Sequence, residues 1–417
     1  VLDDGEMQWV LLSLDLIGID GEQVAQVRAG VEAQTGIPGA HVMVCCSHTH
    51  SGPVMPSSDP RRDPLGEAEV QEIPARVLVL VDALVGAVSQ AFEARESVQL
   101  RFISGQLEGW SQNRRRVAQG GIPVDLGVRG MLLTGAEGHP KVVVVNYACH
   151  PTVMGSKNLI VSAEYPGAMA RLVESVYPGC AALFVNGACA NLNPNWFKLE
   201  SNSFTTISRM GQALGGEVIR AVNTALATEI AEHDVTLGAD ELQEFLPLWE
   251  QPGEEEAFAL LEKQQNLLER AKAGAFPQNP FPFWHSMSVD ENLSVQMAES
   301  YVAWAEKLVR LADVQVRVEA PRVEVQALRI GRGGIVSMPG EIFMELGVQI
   351  KEAFPNQPVM VAGYTNGSVG YIPTQEAFGK GGYEVTIAQR ARLIPIAKDG
   401  GETMATWAIR LLRGLFE

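Results

Sequence analysis

The chain has 417 residues, 46% of them hydrophobic and 19% charged, so it can bury a large core and does not have the make-up of a disordered protein. Its 32 basic and 49 acidic residues leave a net charge of −17, which argues against non-specific binding to nucleic acid or to an anionic membrane surface. No apolar run approaches the roughly 18 residues needed to span a bilayer, and no basic-then-apolar leader opens the chain at Val1.

Taken in order, "VLDDGEMQWVLLSLDLIGI" reads as two strands around an Asp-Asp-Gly turn. "DGEQVAQVRAGVEAQTG" has helical apolar spacing and a glycine stop. "HVMVCC" is a buried strand, 76–94 a helix and 97–105 a strand. "GMLLTG" and "KVVVVNYA" pair across a turn at 135–140, "YPGAMARLVESVYPG" is a helix, "AALFVNG" a strand and 205–228 a long helix. Composition shifts at 244–315, where two amphipathic helices flank "AFPQNPFPFWHS". This stretch is either a helical hairpin packed on the core or a cap whose Phe281, Phe283 and Trp284 form an apolar wall over a cleft. After 320 come the strands "RVEVQALRI" and "GGIVSMPG", a helix from Ile342, the strand "PVMVAGY", a loop-rich stretch 363–383 and a last helix 401–416. No sequence repeat is visible. The alternation predicts an α/β fold: mixed, largely buried sheets flanked by helices, in a single domain 1–417 with a helical insertion at 244–315.

The five cysteines, Cys45, Cys46, Cys149, Cys180 and Cys189, show no CxxC spacing. They read as buried thiols of a reducing compartment, and the expected location is the cytoplasm.

Polar, ligand-type residues follow four apolar strands. "VMVCCS" runs into His48 and His50, "VVVVNYAC" into His150, "GGIVSMPG" into Glu341, and "PVMVAGYTNGSVG" into Tyr371. Ligands of open α/β sheets bind beyond the carboxyl ends of the strands, so these side chains are expected to converge. Two histidines, a carboxylate and a water form a usual catalytic zinc set. Taken singly, each has a plainer reading: a lone histidine after a strand is commonly a core residue, and Glu341 would serve as first-turn acid of a helix 342–353. His48 and His50, two residues apart at a strand end, share a face. A cysteine hydrolase using Cys149 or Cys189 is a different reading, but Cys149 and His150 are adjacent on a strand and face opposite ways. A zinc esterase or lactonase on the same site and a non-catalytic metal-binding module complete the alternatives.

"HTHSGP" (48–53), "SQNRR" (111–115), "NYACHPT" (146–152), "PGE" (339–341) and "GYIPT…GGYE" (370–384) occur in an order that resembles the catalytic domain of the neutral ceramidases, zinc-dependent amidases that hydrolyse N-acyl sphingosine. The resemblance runs in blocks over about residues 1–240 and 320–400. It implies Zn²⁺ held by His48, His150, Glu341 and Tyr371. It also implies His50 as the neighbouring catalytic histidine, Tyr383 as the donor that polarises the scissile carbonyl, and Arg114 facing the substrate or the developing anion. Asp15, in a strand similar to the family's Asp-bearing one, is expected either to accept from a ligand imidazole or to cap the strand end. The chain departs from the pattern in "ANLNP" (190–194), where Asn193 stands for the family serine and Asn191 for its aspartate, and it stops at Glu417, before the family's immunoglobulin-like domain. These departures point to a small-molecule N-acyl amine or lipid-like substrate, smaller and more soluble than ceramide in a bilayer.

Overall fold

The computed structural model describes residues 1–55, 74–119, 123–155, 158–195, 199–228, 231–232, 235–274 and 291–417. The expected strand pair at the start is β1 (Leu2–Asp3) and β2 (Gln8–Leu14), antiparallel to each other. Helix α1 (Gly21–Thr35) starts on a capping box between Asp20 and Gln23 and stops at Gly36, whose φ of 76° is the left-handed conformation glycine adopts without strain. Strand β3 (Val42–Cys46), buried at every residue, lies parallel to β2. Helix α2 spans Pro74–Glu93.

Two four-stranded sheets follow. The first is built from β4 (Gln99–Gln106), β6 (Gly127–Thr134), β7 (Pro140–Tyr147) and β8 (Ala181–Asn186), in the order β4-β6-β7-β8. Two short strands, β5 (Ser111–Asn113) and β9 (Leu192–Pro194), pair beside it. Helices α3 (Glu164–Val176) and α4 (Phe204–Thr228) cover its outer face. The second sheet has the order β10-β11-β12-β14, with β10 (Leu237–Phe245), β11 (Arg322–Ile330), β12 (Gly333–Met338) and β14 (Val359–Gly363). Between β10 and β11 the chain makes α5 (Glu254–Lys272) and α6 (Glu291–Asp313). Between β12 and β14 it makes the two-residue β13 (Glu341–Ile342) and helix α7 (Met344–Glu352). Beyond β14 come β15 (Tyr371–Ile372), α8 (Gln375–Lys380), α9 (Ile387–Arg390) and α10 (Gly400–Phe416).

Both sheets read antiparallel, antiparallel, parallel. In each, a hairpin runs into a loop and a helix that returns to a parallel strand: β6-β7-α3-β8 in one, β11-β12-α7-β14 in the other. The repetition that the residues conceal is present in the topology. The sheets stack face to face. Phe102, Met131, Val144 and Val185 of one meet Leu328, Ile335 and Met360 of the other, together with Trp9 and Met43 of β2 and β3. Val143 and Val145 point the opposite way, into α3 and α4. Strands covered on both faces must be apolar at odd and even positions alike, hence "VVVV". Helices α7 and α10 close the second sheet's outer face through Leu346, Ile350, Met404 and Leu411.

The mixed α/β expectation holds, with three differences. Residues Leu237–Phe245 form an edge strand, so the stretch from 244 completes β10 before the helical hairpin begins. The helix after Glu341 starts at Met344, which leaves Glu341 outside it and Glu345 as its first-turn acid. The loop-rich stretch contains α8 and a short 3₁₀ turn at Tyr383–Val385. The expected apolar wall of Phe281, Phe283 and Trp284 lies outside the described residues.

Candidate metal centre

Three parallel-paired strands end side by side. Beyond the carboxyl end of β3 the backbone N–H groups of Ser47 and His48 donate to the carbonyls of Leu14 and Leu16, and His50 N–H donates to Pro151 O. Beyond β7, His150 N–H donates to Leu192 O; beyond β12, Glu341 N–H donates to Gly370 O. The strand ends approach so closely that a Cβ on Gly363 would lie 2.8 Å from the carbonyl oxygen of Gly187, so only glycine fits there. The duplicated topology supplies His150 from one half and Glu341 from the other, at equivalent places after the hairpin.

His48 has φ 64°, a conformation that strains a residue carrying a Cβ. Its ring stacks on Tyr364, itself at φ 55°, with centroids 3.9 Å apart. His48 Nδ1 lies 2.5 Å from Ile17 O, and His150 Nδ1 lies 2.8 Å from Cys189 O and 3.0 Å from Leu192 O. A carbonyl only accepts, so both Nδ1 atoms carry the proton and both Nε2 atoms present bare lone pairs. Backbone carbonyls thus fix the tautomers. Asp15 does not: its expected role as partner of a ligand imidazole is taken by Ile17 O.

The lone pairs point at one another and at a carboxylate. Glu341 Oε2 is 3.5 Å from His48 Nε2 and 3.4 Å from His150 Nε2, and His50 Nε2 is 3.3 Å from His48 Nε2. The nitrogens of the three histidines all lie within 4.8 Å of one another. His150 Nε2 and Glu341 Oε2 are buried with no hydrogen-bond partner. Acceptors brought this close repel unless a cation lies between them. Two ligand atoms about 2.0–2.1 Å from one ion at the tetrahedral angle stand about 3.3–3.4 Å apart, the spacing seen here. The donor set therefore fits a divalent metal.

Charge states agree. Burial alone would raise Glu341, and positive charge at the His150 and His48 side of it is what holds its carboxyl well below the usual range. Burial pushes His150 down to about 4. His50 is the exposed member of the trio, yet desolvation of its inner edge and the neighbouring imidazoles push it down to about 3. His150 and His50 are thus held neutral, the state in which an imidazole can face a metal.

Tyr371 is the register partner of Glu341 in the parallel pair β13–β15, so the two side chains are neighbours. Its hydroxyl accepts from Arg114 Nη2 at 3.1 Å. Tyr383 meets the Tyr371 ring edge-on, with centroids 5.5 Å apart, and lies 5.8 Å from the Arg114 guanidinium carbon. Arg114 is held by Glu384, which accepts from its Nε at 2.7 Å, and by Asn193 Oδ1 at 3.4 Å from Nη1. Glu384 is 1% exposed and also accepts from Arg115 at 2.5 Å. Burial raises the Glu384 carboxyl, and the two arginines overcome that and hold it low. The structure thus brings His48, His50, His150 and Glu341 into one group, with Tyr371, Tyr383 and Arg114 beside it. Glu384 and Tyr364 went unnoticed in the sequence; an acid directly after Tyr383 in "GGYE" was the available signal for a counter-ion to "RR". Asn191 is structural: it donates to Glu345 and accepts from Met344 N–H at the start of α7.

The thiols do not form an alternative nucleophile. Burial pushes Cys149 well up and Cys189 to about 12, the reverse of what a reactive cysteine needs. Cys149→Ser and Cys189→Ser are expected to lower stability by about 1–2 kcal/mol, measured by denaturant melts, with turnover retained. Loss of turnover at unchanged fold and metal content would restore the cysteine-hydrolase reading.

Two mixed sheets stack face to face between helical layers, and at their strand ends lies a histidine group that could hold a metal ion, with a carboxylate beside it. No family model and no curated protein matches the chain. Among solved structures it is similar to the neutral ceramidase from Pseudomonas aeruginosa, at TM-score 0.67 and 19% identity, covering 97% of this chain and 66% of that one. It is also similar to a ceramidase complexed with C2, at TM-score 0.68 and 17% identity, covering 97% and 67%. At such identity the likeness concerns the fold, and the chain spans about two thirds of those proteins' length. Among the described residues no helix is long and apolar enough to cross a membrane.

Proposed function

We propose that the chain is a zinc-dependent amidase of the neutral ceramidase type, cleaving the amide bond of an N-acyl amine that is ceramide-like or smaller. The observation that carries this reading is the meeting of His48 Nε2, His150 Nε2 and Glu341 Oε2, two of its distances being 3.4 and 3.5 Å, in a buried group short of hydrogen-bond donors. Zn²⁺ held there by these three, with Tyr371 beside them, would supply Lewis acidity and a water acidic near pH ~7.

The chain's own residues supply the rest. His50 rests neutral, so its ring can accept a proton and return it to the leaving nitrogen. Burial and the Glu341 charge push the Tyr383 hydroxyl up, so it stays protonated and donates to the oxygen on which negative charge develops. Such a donor contributes on the order of 3 kcal/mol to the transition state. Arg114, oriented by Glu384, adds positive charge on the same side and fixes the Tyr371 hydroxyl. The buried free thiols support a reducing compartment, which we take to be the cytoplasm.

The test is dialysis against a chelator, with zinc content and turnover followed together on N-acyl amines of graded chain length and the matching esters. Turnover is expected to fall with the zinc, to return when zinc is restored, and to favour amides with shorter, water-soluble acyl chains. Full turnover in metal-free protein would overturn the reading. Esters cleaved to the exclusion of amides would reassign the site to an esterase or lactonase.

A further inference from the structure

The stretch after Tyr383 is gripped from two sides. Inward, Gln389 is 2% exposed, and its Nε2 donates to Tyr371 O at 2.9 Å and to Glu384 O at 3.2 Å, while its Oε1 accepts from Ile396 N–H at 3.3 Å. One amide therefore joins the strand that carries Tyr371 to the turn that carries Tyr383 and Glu384. Outward, the next residue, Arg390, lies against two aromatic rings of α6, its guanidinium carbon 4.1 Å from the Tyr301 centroid and 4.6 Å from that of Trp304. Trp304 Nε1–H also donates to Leu393 O at 2.8 Å. Leu308 and Leu311 of α6 and Ala257 of α5 pack on Leu393 and Ile394. The helical hairpin thus meets the chain at Arg390, Leu393 and Ile394, downstream of Tyr383.

We propose that Gln389 and Arg390 are positioning residues, and that α5–α6 is a clamp which sets Tyr383 relative to the metal centre through them. The proposal rests on the reading of Tyr383 as a site residue. Helix α9 has four residues and a single turn of its own hydrogen bonds, too short to hold its place without external packing. The inner side of the segment is pinned by the Gln389 amide and, beside Tyr383, by the contacts of Glu384 with Arg114 and Arg115, and the outer side by the α6 aromatics. Removal of the outer grip leaves Tyr383 attached but loosely aimed, and misplacement by about 1 Å at a reacting group can cost on the order of 10²-fold in rate. The contact that the described residues of the hairpin make here is with protein, and its effect belongs on kcat.

The experiment compares Trp304→Leu, Arg390→Ala and Arg390→Lys with wild type, each checked for folding and metal content. Amide hydrogen exchange is read by peptide for 383–396 and for the segments bearing His48 and His150. Trp304→Leu and Arg390→Ala are expected to speed exchange at 383–396 by about 10-fold or more while the histidine segments stay protected. kcat should fall by roughly 10-fold with KM unchanged. Arg390→Lys keeps a cation over the rings and should restore both readouts most of the way. Unchanged exchange at 383–396 in Trp304→Leu and Arg390→Ala overturns the clamp, as does a rise in KM with kcat unaltered, which would make the hairpin a substrate wall. Should Arg390→Ala fail to fold, Trp304→Leu and Arg390→Lys decide alone. Faster exchange in a protein whose wild type hydrolyses no N-acyl amide would support the clamp and reject the amidase reading.

Discussion

His150→Ala is expected to remove most of the bound metal and at least about 10³-fold of the turnover. The magnitude follows from the several kcal/mol that a Lewis-acidic ion contributes to a hydrolytic transition state, at about 1.4 kcal/mol per factor of ten. The loss should be specific. His150 is 1% exposed and anchored by two carbonyls through Nδ1, so alanine also leaves those carbonyls without that donor and costs some stability. His150→Gln, which can still donate to a carbonyl, separates the effects: it should keep more of the fold and still lose the metal. Zinc by elemental analysis, turnover and a thermal melt on the same samples decide the matter. Full metal and full turnover in His150→Ala would dissolve the proposed centre. Glu341→Gln should behave like the histidine variant, because a neutral amide lacks the negative charge that helps to hold a divalent cation between the imidazole lone pairs.

Much of this was legible in the residues, for a physical reason. Strands covered on both faces must be apolar throughout, so β3, β7, β12 and β14 announce themselves, and the polar residues directly after them stand out against that background. β10 was hidden because it is an edge strand with exposed side chains, and "LGADELQEF" gives no apolar run. The partners of His48 and His150 were hidden because they are backbone carbonyls, which leave no mark in a sequence; Asp15 drew attention only because it has a side chain. The left-handed turns at His48 and Tyr364 are carried by residues that normally avoid them, so propensity could not reveal them. Glu384 needed the fold, since its role depends on Arg114 and Arg115 arriving from 270 and 269 residues away.

Tyr383→Phe should lower kcat by roughly 10²–10³ while KM and zinc content stay near wild type. The argument rests on what the substitution leaves alone. The ring keeps its edge-on contact with Tyr371 and its place beside Arg114, so packing is preserved and only the hydroxyl goes. If that hydroxyl donates to the oxygen only once charge has gathered there, its loss falls on the transition state and not on substrate binding. Tyr371→Phe should differ in kind. Its hydroxyl accepts from Arg114 Nη2 inside a network that also holds Glu384 and Asn193, and it neighbours Glu341 in register. Removing it leaves a buried guanidinium N–H without its partner and takes an oxygen from beside the proposed metal site, so zinc affinity should fall along with turnover. Zinc retained in Tyr383→Phe and weakened in Tyr371→Phe would separate a transition-state donor from a residue of the metal shell. Near-wild-type kcat in Tyr383→Phe would make Tyr383 a packing residue, and the donor would then have to be sought at Arg114, whose guanidinium is already held in place by a fully buried carboxylate.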